Sequence, residues 1–283
     1  MFRTRLLSGI LLVIIALAVI LTGGALFATV LFLVSLLAYQ ELTRACKVRG
    51  EEMTPSAPVR AGCVMILVYY ALLYLALARE DISLAFPAMI VGIVVAFLVF
   101  LVVYVVAFPK YHADQIMAAM FSFLYAPVML SFLYLLRAGF EDGLYLVGFV
   151  FLASWGSDTC AYCVGMLFGK HKMTPKLSPK KSIEGAVGGV LGAALLFVLY
   201  THFVISSYTW IMLPLPLAAI LGAAGALISM VGDLAASAVK RDHEIKDYGK
   251  LIPGHGGIMD RFDSVIVTAP IIFIGIYFSI YVM

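Results

Sequence analysis

Apolar runs of about twenty residues, almost free of charge, recur along the whole chain. That length is what an α-helix needs to cross roughly 30 Å of hydrocarbon. In lipid no water satisfies backbone groups, so a spanning segment must bond its own N–H and C=O internally. The strands of an outer-membrane barrel would instead alternate apolar and polar over about ten residues. The chain is 64% hydrophobic and 12% charged over 283 residues. A soluble domain carries about 25% charged residues, so too little polar surface is present to cover a soluble fold. The expected fold is all-α, a polytopic integral membrane protein of about nine transmembrane helices. The runs fall near 6–22, 25–39, 63–78, 87–108, 116–136, 144–168, 186–206, 212–236 and 262–282. The first two are short and could form a shallow hairpin.

Charge placement orients these spans. Positively charged loops stay on the cytoplasmic side. With the N-terminus in the cytoplasm, all but two of the nineteen basic residues face it, the exceptions being Arg79 and Arg137. Those two sit with Glu80, Asp81, Glu141 and Asp142 on the other side. An odd number of spans then puts the C-terminus outside. Two long basic loops, 169–185 and 237–261, share the cytoplasmic face. Arg3 and Arg5 before an apolar run imitate a signal peptide, but a second apolar run follows at once, so the first helix is expected to stay. The spans before residue 140 are rich in Val, Leu, Phe and Tyr, whereas later ones carry glycines that let helices approach closely. This divides the chain into scaffold helices at 1–140 and catalytic helices at 141–283.

The segment from Ser237 to Asp263 gathers ionisable groups in a chain that otherwise avoids them. Asp233, Ser237 and Lys240 stand at i, i+4 and i+7, so one helix face carries a carboxylate, a hydroxyl and an ammonium. Asp233 has no stem with which to reach the interface and needs a partner; a metal or Lys240 would serve. Ile252-Pro253-Gly254-His255-Gly256-Gly257 follows. Such a turn is often a plain surface loop, but its amides could also bind phosphate oxygens, and His255 could bond a phosphate or move a proton. Asp260 and Asp263 open the last span at i, i+3. Aspartates there cap helices, and with Asp233 they also suit a hard divalent cation. Magnesium takes one or two carboxylates and leaves the rest to phosphates and water. Arg241, Lys246, Lys250 and Arg261 would hold phosphate charge. In the other loop, Asp158 and the run Ser178-Pro179-Lys180-Lys181-Ser182-Ile183-Glu184-Gly185 read either as a charge anchor or as a phosphate grip. Cys160-Ala-Tyr-Cys163 lacks a second ligand pair at zinc spacing and reads as small packing residues. The chemistry that fits is phosphoryl or nucleotidyl transfer to a lipid head group.

The residues from Ser237 through Lys240-Arg241, Lys246-Asp247, Gly249, Ile252-Pro253-Gly254-His255-Gly256-Gly257 and Asp260-Arg261 to Asp263 resemble the signature of phosphatidate cytidylyltransferases, the CDP-diacylglycerol synthases. Asp158-Thr-x-Ala-Tyr162 and Ser178 to Gly185 resemble the same family's second conserved region. The specific resemblance covers about residues 150–265. It implies attack of phosphatidic acid on CTP, giving CDP-diacylglycerol and pyrophosphate. It implies magnesium (Mg2+), with a monovalent cation such as potassium (K+) beside it. Asp233, Asp260 and Asp263 are then the expected metal ligands. Asp260, Asp263, Lys240 and His255 are the expected catalytic set. Ser237, Arg241, Lys246, Gly256, Gly257, Arg261, Lys180, Lys181, Ser182 and Asp158 are expected to bind substrate. The partners are CTP, phosphatidic acid and the bilayer, with no nucleic acid. The glycine-rich helices leave a homodimer open. The expected location is the inner (cytoplasmic) membrane, with the active site on the cytoplasmic side.

A CTP-dependent lipid kinase or an ether-lipid cytidylyltransferase would use similar residues. An anion transporter would place its polar groups near the bilayer midplane, where this chain is apolar.

Overall fold

The computed structural model describes residues 2–48, 55–79, 81–254 and 256–281, with side chains from Ser8 onward. His255, Arg49 and Glu80 lie outside the described residues, as do the side chains of Arg3 and Arg5.

Nine helical segments run through the described residues: α1 (Phe2–Thr22), α2 (Gly24–Ala45), α3 (Ala57–Leu77), α4 (Ile82–Val106), α5 (Ala113–Ala138), α6 (Gly143–Phe168), α7 (Ile183–Tyr208), α8 (Leu215–Asp242) and α9 (Met259–Tyr281). Eight of them, α2 to α9, are long and apolar enough to cross a membrane, and α1 adds the apolar stretch Ser8–Thr22. The protein is an all-α, polytopic membrane protein. The helix ends differ from the expected spans for local reasons. Helix α3 starts at Ala57, because Pro58 sits in the first turn, where its missing N–H costs nothing. Helix α2 runs on to Ala45, well past the expected end at 39.

The contacts divide the chain into two compact units, Met1–Phe140 with Asp242–Arg261, and Glu141–Arg241 with Phe262–Met283. The segment 242–261 therefore packs with the first unit, although in sequence it joins two helices of the second.

In the first unit, α2, α3, α4 and α5 bury a core that includes Tyr39, Tyr69, Phe100 and Phe123. Two tyrosine hydroxyls in this core pair with serines, which offsets the cost of burying them in so apolar a place. Tyr70 bonds Ser35 at 2.7 Å and Tyr69 bonds Ser131 at 2.8 Å. Helix α5 loosens to π geometry over Leu124–Val128, where Pro127 cannot donate to the helical ladder. Side chains such as Leu67, Ile90 and Val105 point outward and stay exposed, as befits a lipid-facing surface.

In the second unit, α6 and α7 pack most closely. Gly188, Gly189 and Gly192 of α7 meet Val164, Ala161 and Cys160 of α6, which gives Cys160 a packing role. The basic segment 169–185, expected as a loop, is an antiparallel ribbon of β1 (Lys172–Thr174) and β2 (Ser178–Ser182). Glu184 holds its base, accepting from the amide of Lys170 at 3.1 Å and pairing with His171 Nδ1 at 2.6 Å. Ser182 ends the ribbon and caps α7, its Oγ accepting from the Gly185 amide at 3.1 Å.

Gly232 fixes how closely α8 and α9 approach. A Cβ there would stand 2.8 Å from the Asp263 carbonyl oxygen and strike Val267. Gly232→Val should therefore force the helices apart and cost on the order of 1–3 kcal/mol. Thermal unfolding in detergent should show a lower midpoint, and an unchanged midpoint would refute this contact.

Candidate functional site

In the second unit, three helices and the ribbon bring charge to one place. Helix α6 supplies Asp158, β2 supplies Lys180, Lys181 and Ser182, and α8 supplies Asp233. The ammonium of Lys181 forms an ion pair with the Asp233 carboxylate. It carries three donors, and its Nζ is shielded from solvent with no further hydrogen bond among the described residues. Capacity to grip another oxygen therefore remains. Helix α9 brings Asp263, which is 9% exposed and accepts from the Ser264 amide at 2.9 Å. Asp263 lies within electrostatic reach of Asp233, Asp158 and Lys240, and Asp158 within reach of Lys181 and Asp233.

Part of this cluster borders a cavity of about 480 Å³. Asp158, Lys180, Lys181 and Asp233 line it together with Met166, Met173 and Met230. One wall thus offers charge and the other flexible apolar surface. Ser237 and Lys240 lie further along α8, half-buried in its last turns, with Arg241 exposed at its end.

In the first unit, the turn of segment 242–261 borders a second cavity of about 510 Å³, lined by Lys246, Lys250, Arg261 and Asp247, by Ile252 and Pro253, and by Gly249, Gly254 and Gly256. Two carboxylates brace this turn. Asp260 Oδ2 accepts from the amides of Tyr248 at 2.8 Å and Gly257 at 2.9 Å. Glu41, near the C-terminal end of α2, accepts from the amides of Ile258 at 3.2 Å and Met259 at 2.8 Å. Both are buried, at 9% and 6% exposure. Gly256 holds φ at +85°, a backbone state that side chains resist. Gly257 packs directly on the Glu41 carboxylate, where a Cβ would collide with it.

The expected site residues thus fall into two neighbourhoods. Asp233, Asp263, Asp158, Lys181, Lys180 and Ser182 belong to the cluster in the second unit. Asp260, Lys246, Arg261, Gly256 and Gly257 belong to the turn in the first. Asp260 and Asp263, adjacent on one helix face by spacing, have different partners: loop amides for one, carboxylates and Lys240 for the other. Glu41 escaped the sequence reading. Its only signal was a carboxylate near the end of an apolar run, with Arg44 close by to account for it.

The chain matches the family model described as "Cytidylyltransferase family" over residues 3–279. It is 30% identical over 271 residues to a phosphatidate cytidylyltransferase of Staphylococcus epidermidis, covering 95% of this chain and 97% of that protein. It is 34% identical over 161 residues to one of Mycobacterium tuberculosis, covering 57% of this chain and 47% of the other. It is 37% identical over 129 residues to one of Haemophilus influenzae, covering 45% and 44% respectively.

Proposed function

The chain belongs to the cytidylyltransferase family, and on that premise we propose that it is a phosphatidate cytidylyltransferase. It would join CTP to phosphatidic acid and release CDP-diacylglycerol and pyrophosphate. The observation that carries this reading is the Lys181–Asp233 pair beside Asp158 in a largely apolar cavity of a membrane protein, with Asp263 within electrostatic reach. A lipid phosphate needs both kinds of wall: cations for its head and apolar surface for the first carbons of its chains.

The balance of the reaction is simple. An oxygen of the phosphatidic acid phosphate bonds to the α-phosphorus of CTP. The bond from that phosphorus to the oxygen bridging to the β-phosphate breaks, and pyrophosphate leaves with the electron pair. The attacking phosphate is largely ionised at neutral pH, so no strong base is required. Placement and charge neutralisation can supply the rate. Lys181, with Lys180 and the Ser182 hydroxyl, would hold the lipid phosphate. Lys246, Lys250 and Arg261, with the amides of Gly256 and Gly257, would hold nucleotide phosphates in the mainly polar cavity of the turn. Ser237, Lys240, Arg241 and His255 remain phosphate contacts in this reading.

The donor set fits magnesium. It is all oxygen, and Asp158, Asp233 and Asp263 outnumber their directly paired ammonium, Lys181. Among the described residues no three ligating side chains converge into a preformed cluster. This suits a cation that takes one or two carboxylates and leaves the remainder to phosphates and water. Asp233 and Asp263 would be the ligands, with Asp158 near them. Magnesium, when bound, would neutralise phosphate charge as pyrophosphate departs. A potassium ion is a second oxygen-seeking cation for the same region. Asp260, expected as a ligand, has one oxygen engaged by two amides and would serve first to shape the turn.

CTP is water-soluble and phosphatidic acid lies in the bilayer, so the reading places the basic segments at the cytoplasmic face of an inner membrane. The bias of basic residues supports that orientation. Gly188, Gly189 and Gly192 are used within the chain, so a homodimer would form through other faces.

Purified protein given CTP, phosphatidic acid and magnesium should release pyrophosphate in proportion to the CDP-diacylglycerol formed. A lipid kinase would release CDP instead, and that product would overturn the assignment. Chelation should abolish turnover, with recovery on adding magnesium. Asp233→Asn and Asp263→Asn should each lower kcat by roughly a hundredfold or more, the scale seen when one group that stabilises developing charge is removed. Near-normal turnover in either would remove that residue from the cation site.

A further inference from the structure

Glu41 lies more than two hundred residues from the turn it touches, and its carboxylate is nearly sealed from solvent. Its carboxylate accepts from the Ile258 and Met259 amides, with Asp260 and Arg44 within electrostatic reach. The two amides are the first unpaired donors of α9, where the positive end of the helix dipole favours an anion. Gly249 lines the polar cavity, and a Cβ on it would collide with Glu41, as would one on Gly257. The carboxylate therefore stands directly behind the cavity wall. Asp260 braces the same turn from within, on Tyr248 and Gly257.

Between the buried side chains of Tyr248 and Met259 the turn is built from Gly249, Pro253, Gly254, Gly256 and Gly257, and glycine gives it the greatest freedom to lose. Hydrogen bonds to Asp260 and Glu41 fix the glycines between those two anchors. We propose that Glu41 is a positioning residue for nucleotide binding: it pins the turn so that Lys246, Lys250 and Arg261 are placed for the triphosphate of CTP before CTP arrives. The nucleotide identity rests on the cytidylyltransferase reading above, whereas the pinning does not. Preorganisation of this kind lowers the ordering cost of binding. It acts on the substrate that the turn holds, so the affinity for phosphatidic acid should be untouched.

The test is Glu41→Gln in the full-length protein, which keeps the size and one acceptor oxygen but loses the charge and one amide bond. KM for CTP should rise roughly tenfold, the effect of one lost charge-assisted hydrogen bond. KM for phosphatidic acid should stay within about twofold. Limited trypsin cleavage after Lys246 and Lys250 should also speed up, with no change in thermal midpoint beyond that of the loop itself. Glu41→Ala, which removes both bonds, should exaggerate each effect. Unchanged KM for CTP and unchanged cleavage would overturn the proposal. So would a lower yield of folded enzyme whose KM for CTP is normal, since that is a structural role only. If the wild-type protein makes no product from CTP, the functional reading fails, and the trypsin rates alone decide whether Glu41 pins the turn.

Discussion

A carboxylate at the end of a membrane helix cannot be left alone, because little water is there to solvate it. This chain answers that demand in two ways. Asp233 takes an ammonium, from Lys181. Glu41 and Asp260 take backbone amides, two each. The first solution gathers charge on rigid helices. The second gives shape to a glycine-rich turn. Both depend on the surrounding helices being well packed. That packing is set by Gly188, Gly189 and Gly192 in one unit and by the paired tyrosine hydroxyls in the other.

The helices were legible in the sequence because lipid permits so few alternatives. A long apolar run has to become a helix, and its approximate ends follow from where charge begins. The ends themselves were less legible. Pro58 and Ser182 start helices earlier than hydropathy alone would, because starting a helix is a matter of capping and missing donors. The ribbon at 172–182 was not legible at all. Its strands are short and rich in lysine and proline, and it is held at its base by Glu184, which lies in the next helix.

The candidate site was legible in its residues and less so in their grouping. Spacing placed Asp260 and Asp263 on one face. In the fold, however, Asp260 turns to the amides of Tyr248 and Gly257, and Asp263 to a neighbourhood of Asp158, Asp233 and Lys240. Periodicity reports which side of a helix a residue occupies, but not what the rest of the chain has brought there. Glu41 shows the same limit from the other direction. Its partners are separated from it by most of the sequence, and no local pattern could announce them. It also gives the N-terminal helices a part in shaping the turn, beyond that of a scaffold.

The central claim is that the α-phosphorus of CTP ends on the lipid. The most direct measurement follows that atom, using CTP labelled at the α-phosphorus in one reaction and at the γ-phosphorus in another, each with phosphatidic acid and magnesium. In a cytidylyl transfer, α-label moves into the lipid fraction while γ-label appears only in pyrophosphate. Label from the γ-position in the lipid, with α-label left in CDP, would contradict it.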